Sequence, residues 1–140
     1  MKKGFSINEM EIGQEASFSK TITEADVSLY AGVTGDLNPA HINEEYAKKT
    51  IFKGRIAHGM LGSGFISAVL GTKLPGPGTI YISQKVKFTA PVKIGDTVTA
   101  TVRVKNKNEE KNRVIMDTIC TTQEGKEVIV GEAVLMPPKK

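Results

Sequence analysis

The sequence predicts an α+β fold in which one antiparallel β-sheet is wrapped around one long central α-helix. Side chains in residues 80–136 alternate between apolar and polar, and this period of two is typical of strands with one covered face. Residues 57–70 are instead apolar almost throughout, as expected of a buried helix. Because the chain has 140 residues, the length of one domain, this helix is the obvious cover for the sheet.

The N-terminal part of the chain predicts one strand and two helices. Residues 16–22 alternate weakly and form the candidate strand. Thr23 is a suitable N-cap for the helix that follows, because its hydroxyl can accept from a free backbone N–H, and Gly35 ends that helix. A second, short helix is predicted from residue 43 or 44 to Lys49.

The central helix carries three glycines, Gly59, Gly62 and Gly64. Each glycine costs a helix about 1 kcal/mol relative to alanine, so helix propensity does not explain them. The close approach of a strand or of a ligand does explain them, because glycine has no side chain in the way. We therefore expect such close contacts along this helix.

Four strands are predicted in the C-terminal half. They are separated by segments rich in Gly, Pro and polar residues, which favour turns. The predicted strands are residues 80–88, 97–105, 114–122 and 127–136, and the predicted turns are residues 91–96, 106–112 and 123–126.

Composition excludes several classes of protein. The single cysteine, Cys120, cannot form an intramolecular disulfide, and one cysteine with two histidines is too few for a structural zinc site. No apolar segment follows the basic N-terminus, and residues 60–74 are too short and Gly-rich to span a bilayer. We therefore predict a soluble, cytoplasmic protein without a signal peptide, in which Cys120 is an inert thiol.

The formal net charge of +4 does not by itself favour a nucleic-acid partner. Lysines and arginines are scattered from Lys2 to Lys140, with no run of five or more. A solvated surface is the simplest interpretation, and a local basic patch for a small polyanionic ligand is the alternative.

The densest group of reactive residue types is the octapeptide Thr-Gly-Asp-Leu-Asn-Pro-Ala-His at residues 34–41. Asp36 and His41 would not be neighbours on a straight helix, but Pro39 biases Asn38 away from helical angles, so the segment turns. Such a turn can bring the carboxylate and the imidazole into one small volume, where they can act as an acid–base pair. A simple polar turn is the alternative interpretation of the same residues.

A second group, His58-Gly59-Met60, stands where the central helix begins. A helix N-terminus offers free N–H groups and the positive end of the helix dipole, and an acceptor can approach the N–H of Gly59 closely. These are the properties of an oxyanion hole. A local hydrogen bond is the alternative interpretation of His58, and tight packing of the helix on the sheet is the alternative for Gly59.

Metal and nucleotide sites are not predicted. Asp36, His41 and His58 have the composition of a two-histidine, one-carboxylate set, but their spacing matches no metal-binding motif. No glycine-rich phosphate-binding motif follows a predicted strand.

Residues 30–41, Tyr-Ala-Gly-Val-Thr-Gly-Asp-Leu-Asn-Pro-Ala-His, together with Ala47, resemble the signature of the MaoC-like, (R)-specific enoyl-CoA hydratases. Residues 57–61 and 74–81 resemble the next two blocks of that family in the same order, so the resemblance covers nearly the whole chain. It implies a single hot dog domain over residues 1–140, with a sheet wrapped around a long helix and dimers that pair their sheets edge to edge. Position 40 departs from the family pattern, because it is alanine where a branched aliphatic residue is usual.

The same resemblance implies the reversible syn hydration of a trans-2-enoyl-CoA such as crotonyl-CoA to an (R)-3-hydroxyacyl-CoA. The chain would thus be a hydro-lyase, equally a 3-hydroxybutyryl-CoA dehydratase, and a homodimer or higher homo-oligomer. By position, Asp36 and His41 would be the catalytic pair and Asn38 would support their geometry. The N–H of Gly59 would bind the thioester oxygen, and no cofactor is implied beyond the coenzyme A of the substrate.

The resemblance also places Ser67, Leu70 and Val134 at positions that shape the acyl pocket. Leu70 would limit its depth, so we expect short acyl chains of about four to six carbons. Three alternatives remain: a dehydratase that acts on acyl carrier protein thioesters, a non-catalytic acyl-CoA-binding module, and a thioesterase, which would not need the Asp-Asn-Pro-His turn. The phosphates of coenzyme A are a better candidate partner for the positive charge than nucleic acid.

Overall fold

Five antiparallel strands form one sheet, and the longest helix packs on one of its faces. The computed structural model of the protein describes residues 2–140. The strands are β1 (Glu15–Thr21), β2 (Ile80–Phe88), β3 (Thr97–Asn108), β4 (Arg113–Thr121) and β5 (Glu127–Met136), in the spatial order β1-β3-β4-β5-β2. The helices are α1 (Glu24–Thr34), α2 (Pro39–Ile42), α3 (Glu44–Ala47) and α4 (Gly59–Thr72), preceded by a short 3-10 helix at Ile7–Glu9. No helix within residues 2–140 is long and apolar enough to cross a membrane.

The alternation in the C-terminal half predicts the covered face of the sheet correctly. On β4, Val114, Met116, Thr118 and Cys120 are all buried, whereas the residues between them are half-buried. Side chains of β3 and β5 join the same core, because alternate residues of neighbouring strands share one face. The predicted antiparallel sheet around a central helix is confirmed.

Helix α4 is buried on one face only, which differs from the prediction of a helix buried nearly all round. Phe65, Ile66, Val69 and Leu70 pack in the core, whereas Met60 is 55% exposed. The reason is that the sheet covers one side of the helix, and apolar composition alone does not say how many sides are covered.

Two of the three helix glycines make the close contacts expected of them. A Cβ on Gly59 would lie 2.8 Å from the Phe88 ring, and a Cβ on Gly62 would lie 2.8 Å from the Ile129 side chain. A Cβ on Gly64 would meet nothing within 4 Å. Close packing therefore explains Gly59 and Gly62 but not Gly64.

The loop between β3 and β4 is shorter than predicted. The sequence predicts a loop at residues 106–112, but β3 runs to Asn108 and β4 begins at Arg113. A register shift between Val104 and Asn106 keeps the two strands paired beyond the regular alternation. Polar residues on the exposed end of a hairpin look like a loop in the sequence although they are still paired.

The segment between α1 and α4 differs most from its prediction. Helix α1 begins and ends as expected, with a capping box between Thr23 and Asp26 and a left-handed Gly35 at its end. The predicted short helix is observed as the single turn α3, which is capped by Asn43 and ends at Ala47, and a further turn that was not predicted, α2, precedes it and is capped by Asn38. Proline at the first position of α2 favours that helix, because proline's missing N–H has no intrahelical partner there in any case.

Candidate active site

Asp36 and His41 are brought together by a turn that their own neighbours stabilise. Gly35, with φ +79°, reverses the chain after α1, and Asp36 follows it. The Asp36 carboxylate accepts from the Asn38 N–H at 3.3 Å, and the Asn38 side chain accepts from the Ala40 N–H at 3.0 Å. The backbone carbonyl of the half-buried Ala40 in turn accepts from the Ile56 N–H at 3.2 Å. This bond holds the turn against the chain that leads into α4, although residue 40 has only a small side chain. The turn predicted from Pro39 and Asn38 is therefore present, and Asn38 stabilises it.

His41 lies in α2 and is 9% exposed. Its Nδ1 is 2.8 Å from the carbonyl oxygen of Ile56. Because a carbonyl can only accept, Nδ1 carries the proton and donates it to this bond. The other ring nitrogen, Nε2, is thereby left with a free lone pair.

His58 lies at the N-terminus of α4 and is 3% exposed. Its hydrogen bond is not the local one considered above. The Nε2–H of His58 donates to the Asp36 carbonyl oxygen at 3.0 Å, and Asp36 is 22 residues away in sequence. Its ring centroid is 3.9 Å from that of His41 and 4.6 Å from that of Tyr30. The sequence drew attention to His58 through its place before Gly59, but it contained no signal for this long-range bond.

Asp36, His41 and His58 each offer one atom that could ligate a metal, a carboxylate oxygen or a ring nitrogen, and these three atoms lie within 4.8 Å of one another. The hydrogen bonds decide which nitrogens are free to bind anything else. Nε2 of His58 carries the proton it donates to Asp36, and a protonated nitrogen is not a metal ligand. Its Nδ1 is buried and has no hydrogen-bond partner among residues 2–140, so this nitrogen keeps a free lone pair. The Asp36 carboxylate and the His41 imidazole are thus close enough to share in proton transfer.

These side chains are among the residues that line an apolar cavity of about 450 Å³. Residues 88–92 and the first turn of α4 form its walls, and the buried Val98 and Ile129 lie among its lining residues. A volume of this size falls within the range of small-molecule sites, which combine apolar walls with a few polar groups. The site can therefore hold an apolar ligand with its reacting end beside Asp36 and His41.

Gly59 is the first residue of α4 and also lines this cavity. Its N–H belongs to the first turn, where the helix itself supplies no carbonyl partner, and the helix dipole adds positive potential there. The Phe88 ring packs where a Cβ would be, so the packing interpretation and the ligand-binding interpretation of this glycine hold together.

The three residues expected to shape the acyl pocket lie elsewhere. Ser67 is exposed on α4, and Leu70 is 1% exposed in the core cluster. Val134 is half-buried on β5, on the opposite face of the strand from the buried Leu135. None of the three lines the cavity beside Asp36.

Arg55 is a residue of this region that sequence reasoning missed. Its Nε donates to the His41 carbonyl oxygen at 2.6 Å, and its two terminal nitrogens donate to the Glu24 carboxylate at 2.8 Å each. The guanidinium lowers the pKa of Glu24 through these hydrogen bonds. Arg55 thus ties α1 and α2 to the chain that leads into α4, and no local pattern reveals a pair 31 residues apart.

The strand order and the helix packed on the sheet define a hot dog domain, with a polar cluster in the lining of an apolar cavity. Within that class the chain belongs to the MaoC-like family, because the model of the MaoC-like domain matches residues 7–125. The family resemblance of the sequence is thereby confirmed.

Named relatives agree with this family. The (R)-specific enoyl-CoA hydratase of Rhodospirillum rubrum is 59% identical over 132 residues, covering 94% of this chain and 91% of the relative. The 3-hydroxybutyryl-CoA dehydratase of Methylorubrum extorquens is 47% identical over 133 residues, covering 94% and 83%. Among solved structures, the unliganded R-hydratase of Pseudomonas aeruginosa is similar with a TM-score of 0.93 and 47% identity, covering 98% of this chain and 88% of that one.

Proposed function

We propose that this protein is a short-chain (R)-specific enoyl-CoA hydratase, which adds water reversibly to a trans-2-enoyl-CoA to give an (R)-3-hydroxyacyl-CoA. The relatives named for hydration and for the reverse dehydration, at 59% and 47% identity, confirm the predicted class of enzyme, a hydro-lyase. The observation that carries the site assignment is the convergence of Asp36, His41 and Gly59 on one apolar cavity.

The reaction needs a base, a proton donor and a stabiliser of negative charge. Conjugation with the thioester makes the β-carbon electrophilic, but water attacks it only when a base removes a proton. The Asp36 carboxylate and the free Nε2 lone pair of His41 are two acceptors within one small volume, so together they can orient one water and take its proton. The pair then returns a proton to the α-carbon from the same side, which makes the addition syn.

Negative charge develops on the thioester oxygen as water attacks. The N–H of Gly59 and the dipole of α4 are fixed in place before the reaction, so they stabilise this charge without rearrangement. Asn38 supports the pair by bonding the backbone of its own turn. The substrate's coenzyme A is the only cofactor this chemistry calls for.

Short acyl chains fit the inner end of the cavity. Val98 and Ile129, which line it, are 1% and 2% exposed and belong to the same core cluster as Leu70. A long acyl chain would have to displace this packed core, and packed cores resist such insertion. We therefore infer substrates of about four to six carbons.

A homodimer that pairs its sheets edge to edge is part of this proposal. Strand β2 stands at one end of the strand order, so one of its edges has no partner within residues 2–140. Ile80, Ile82 and Phe88 on this strand are 52%, 46% and 49% exposed. An unpaired edge with exposed apolar side chains is stabilised by pairing with the same strand of a second copy. Light scattering that returns the mass of a single chain at working concentration would contradict the dimer.

The deciding experiment is a hydration assay over a series of trans-2-enoyl-CoA chain lengths, with chiral analysis of the product. We expect loss of the conjugated-thioester absorbance with crotonyl-CoA, formation of the (R)-3-hydroxy product, and little activity on a twelve-carbon substrate. The same substrate on acyl carrier protein tests the alternative carrier. Release of free thiol without hydration would indicate a thioesterase, and binding without turnover would indicate a non-catalytic module.

A further inference from the structure

We propose that His58 is a positioning residue for the Asp36–His41 pair, acting through a donated hydrogen bond to one residue and a ring contact with the other. This inference rests on the proposed hydratase function and deepens it. Nothing in the reaction requires a second imidazole to touch the substrate. His58 nevertheless contacts both proposed catalytic residues and immediately precedes Gly59.

The hydrogen bond from His58 fixes the backbone of Asp36. The Asp36 N–H is held by the Thr34 hydroxyl at 3.2 Å, and the Asp36 carbonyl is held by Nε2–H of His58 at 3.0 Å. The carboxylate itself is at the exposed end of this residue, and within residues 2–140 its one hydrogen bond is the long 3.3 Å contact with the Asn38 N–H. The direction of the carboxylate therefore depends on a peptide unit that His58 holds from across the fold.

The ring contact limits the motion of His41. The two imidazoles are stacked with centroids 3.9 Å apart and planes tilted by 32°. The Nδ1–H bond to Ile56 holds one side of the His41 ring, and the His58 ring packed against its face opposes a tilt in that direction. A displacement of about 1 Å in a reacting group is enough to lower a rate by roughly a hundredfold.

The tautomer of His58 follows from its surroundings. Its partner at Nε2 is a carbonyl, so this nitrogen must carry the proton. Its Nδ1 is buried and has no acceptor within hydrogen-bond reach, so a proton there would be unsatisfied. The two histidines of the chain thus hold opposite tautomers, Nε2–H at His58 and Nδ1–H at His41.

Three substitutions separate the hydrogen bond from the ring. Glutamine places its amide N–H near the position of Nε2, whereas asparagine reaches only the position of Nδ1, and phenylalanine keeps a ring without a donor. We expect the hydrogen bond to have the larger effect, so His58→Gln should retain kcat within about tenfold and His58→Phe should lose about 10- to 100-fold. His58→Asn, which keeps neither contact, should lose the most, and KM should change less than about threefold in all three variants. Rescue by glutamine distinguishes positioning from mere space filling.

A matched control lies on the same helix. Ser63 is 8% exposed, its hydroxyl has no hydrogen-bond partner, and it is not a lining residue of the cavity. Ser63→Ala should leave kcat and KM unchanged. If His58→Asn and His58→Phe match the kcat of His58→Gln, the positioning role is overturned. If the wild-type enzyme does not hydrate crotonyl-CoA, the proposed function fails first, and the His58 assignment with it.

The wild-type protein offers a test that no folding defect can obscure. The chain has two histidines, so a long-range ¹H–¹⁵N spectrum at neutral pH contains two imidazole patterns. We expect one Nε2–H and one Nδ1–H tautomer, and the pattern lost in His58→Gln must be the Nε2–H one. Two Nδ1–H patterns would overturn the proposal.

Discussion

The sheet and α4 are held together by buried apolar side chains, whereas the segment from Glu24 to Arg55 contributes one residue, Val27, to that core cluster and adds polar contacts to the body of the fold. The core cluster takes most of its members from α4 and the strands. In the segment, by contrast, Leu29, Val33 and Ile51 are 68%, 77% and 87% exposed. This second region carries Asp36 and His41. The comparison indicates that one region determines stability and that the other determines the geometry of the site.

The two regions meet at the start of α4. His58 bonds to Asp36, Arg55 bonds to His41 and Glu24, and Ile56 accepts from the His41 ring. Polar contacts of this kind are directional, so they orient side chains more sharply than apolar packing does, although each contributes only about 1 kcal/mol. The proposed active site thus lies where these directional contacts join the segment from Glu24 to Arg55 to the apolar core of α4 and the sheet.

The largest effect is expected on turnover in the polar segment. Asp36→Asn and His41→Ala should each lower kcat by about a hundredfold or more, because each removes a partner in proton transfer. Asp36→Asn should leave the free energy of unfolding unchanged within about 0.5 kcal/mol, since its side chain is exposed and the amide can still accept from Asn38. Steady-state kinetics and urea unfolding measure the two quantities. Near wild-type hydration by either variant would contradict the assignment, and Ile51→Ala in the same segment is the control.

Substitutions in the core of α4 and the sheet should instead change stability more than turnover. Leu70→Ala removes a fully buried side chain and should lower the free energy of unfolding by about 2–5 kcal/mol. If Leu70 also limits the depth of the acyl pocket, the space it vacates should raise the rate on eight-carbon relative to four-carbon enoyl-CoA. Urea unfolding tests the first effect, and the chain-length series tests the second. An unchanged rate ratio would confine Leu70 to the core.

A pair of glycine variants tests how tightly the sheet and α4 are packed. A Cβ on Gly131 would lie 2.0 Å from the Lys85 carbonyl oxygen, so Gly131→Ala must displace β2 and should cost about 1–3 kcal/mol or more. Gly64→Ala is the matched control, because a Cβ there meets nothing within 4 Å and alanine favours a helix by about 1 kcal/mol. Thermal unfolding should move in opposite directions for the two variants. A stable Gly131→Ala protein with an unmoved β2 would contradict the packing argument.

A smaller effect on stability is expected at the ion pair between Arg55 and Glu24. Arg55→Gln leaves the His41 carbonyl without its charged donor and should cost about 1–2 kcal/mol of stability. Glu24→Gln should cost less than about 1 kcal/mol, because the Glu24 side chain is 60% exposed and solvent screens the pair. Since Arg55 lowers the pKa of Glu24, the contribution of this pair is present above the ordinary pKa of a glutamate and is lost as the pH falls below it. Equal costs in the two variants would show that the His41 contact contributes nothing.

The smallest effect at neutral pH is expected at Cys120. Burial raises the pKa of this thiol to about 12, so it should not react with thiol reagents in the native protein. The unfolded chain releases this proton at lower pH than the folded one, so stability is intact below the ordinary thiol pKa and declines as the pH rises toward 12. Burial also raises the pKa of Tyr81 to about 12, which adds to the decline. Unfolding of Cys120→Ala at increasing pH should show a shallower decline, and an equal one would contradict the argument.

The amino-acid sequence alone predicts the features that depend on neighbouring residues. Alternation placed the strands, with β5 predicted over the observed residues, and Thr23 and Gly35 marked both ends of α1. The turn that joins Asp36 to His41 was also predictable, because Asn38 and Pro39 act on their own backbone. These are local effects, so they can be predicted from the identities of residues that are close in sequence.

The contacts between residues distant in sequence are visible only in the folded chain. The bond from His58 to Asp36 spans 22 residues, the pair of Arg55 and Glu24 spans 31, and the exposed face of α4 depends on which side the sheet covers. No periodicity or cap encodes such contacts, because they arise only after the core has packed and brought the two regions together. The residues of the site could thus be chosen from the sequence, whereas the network that orients them required the fold.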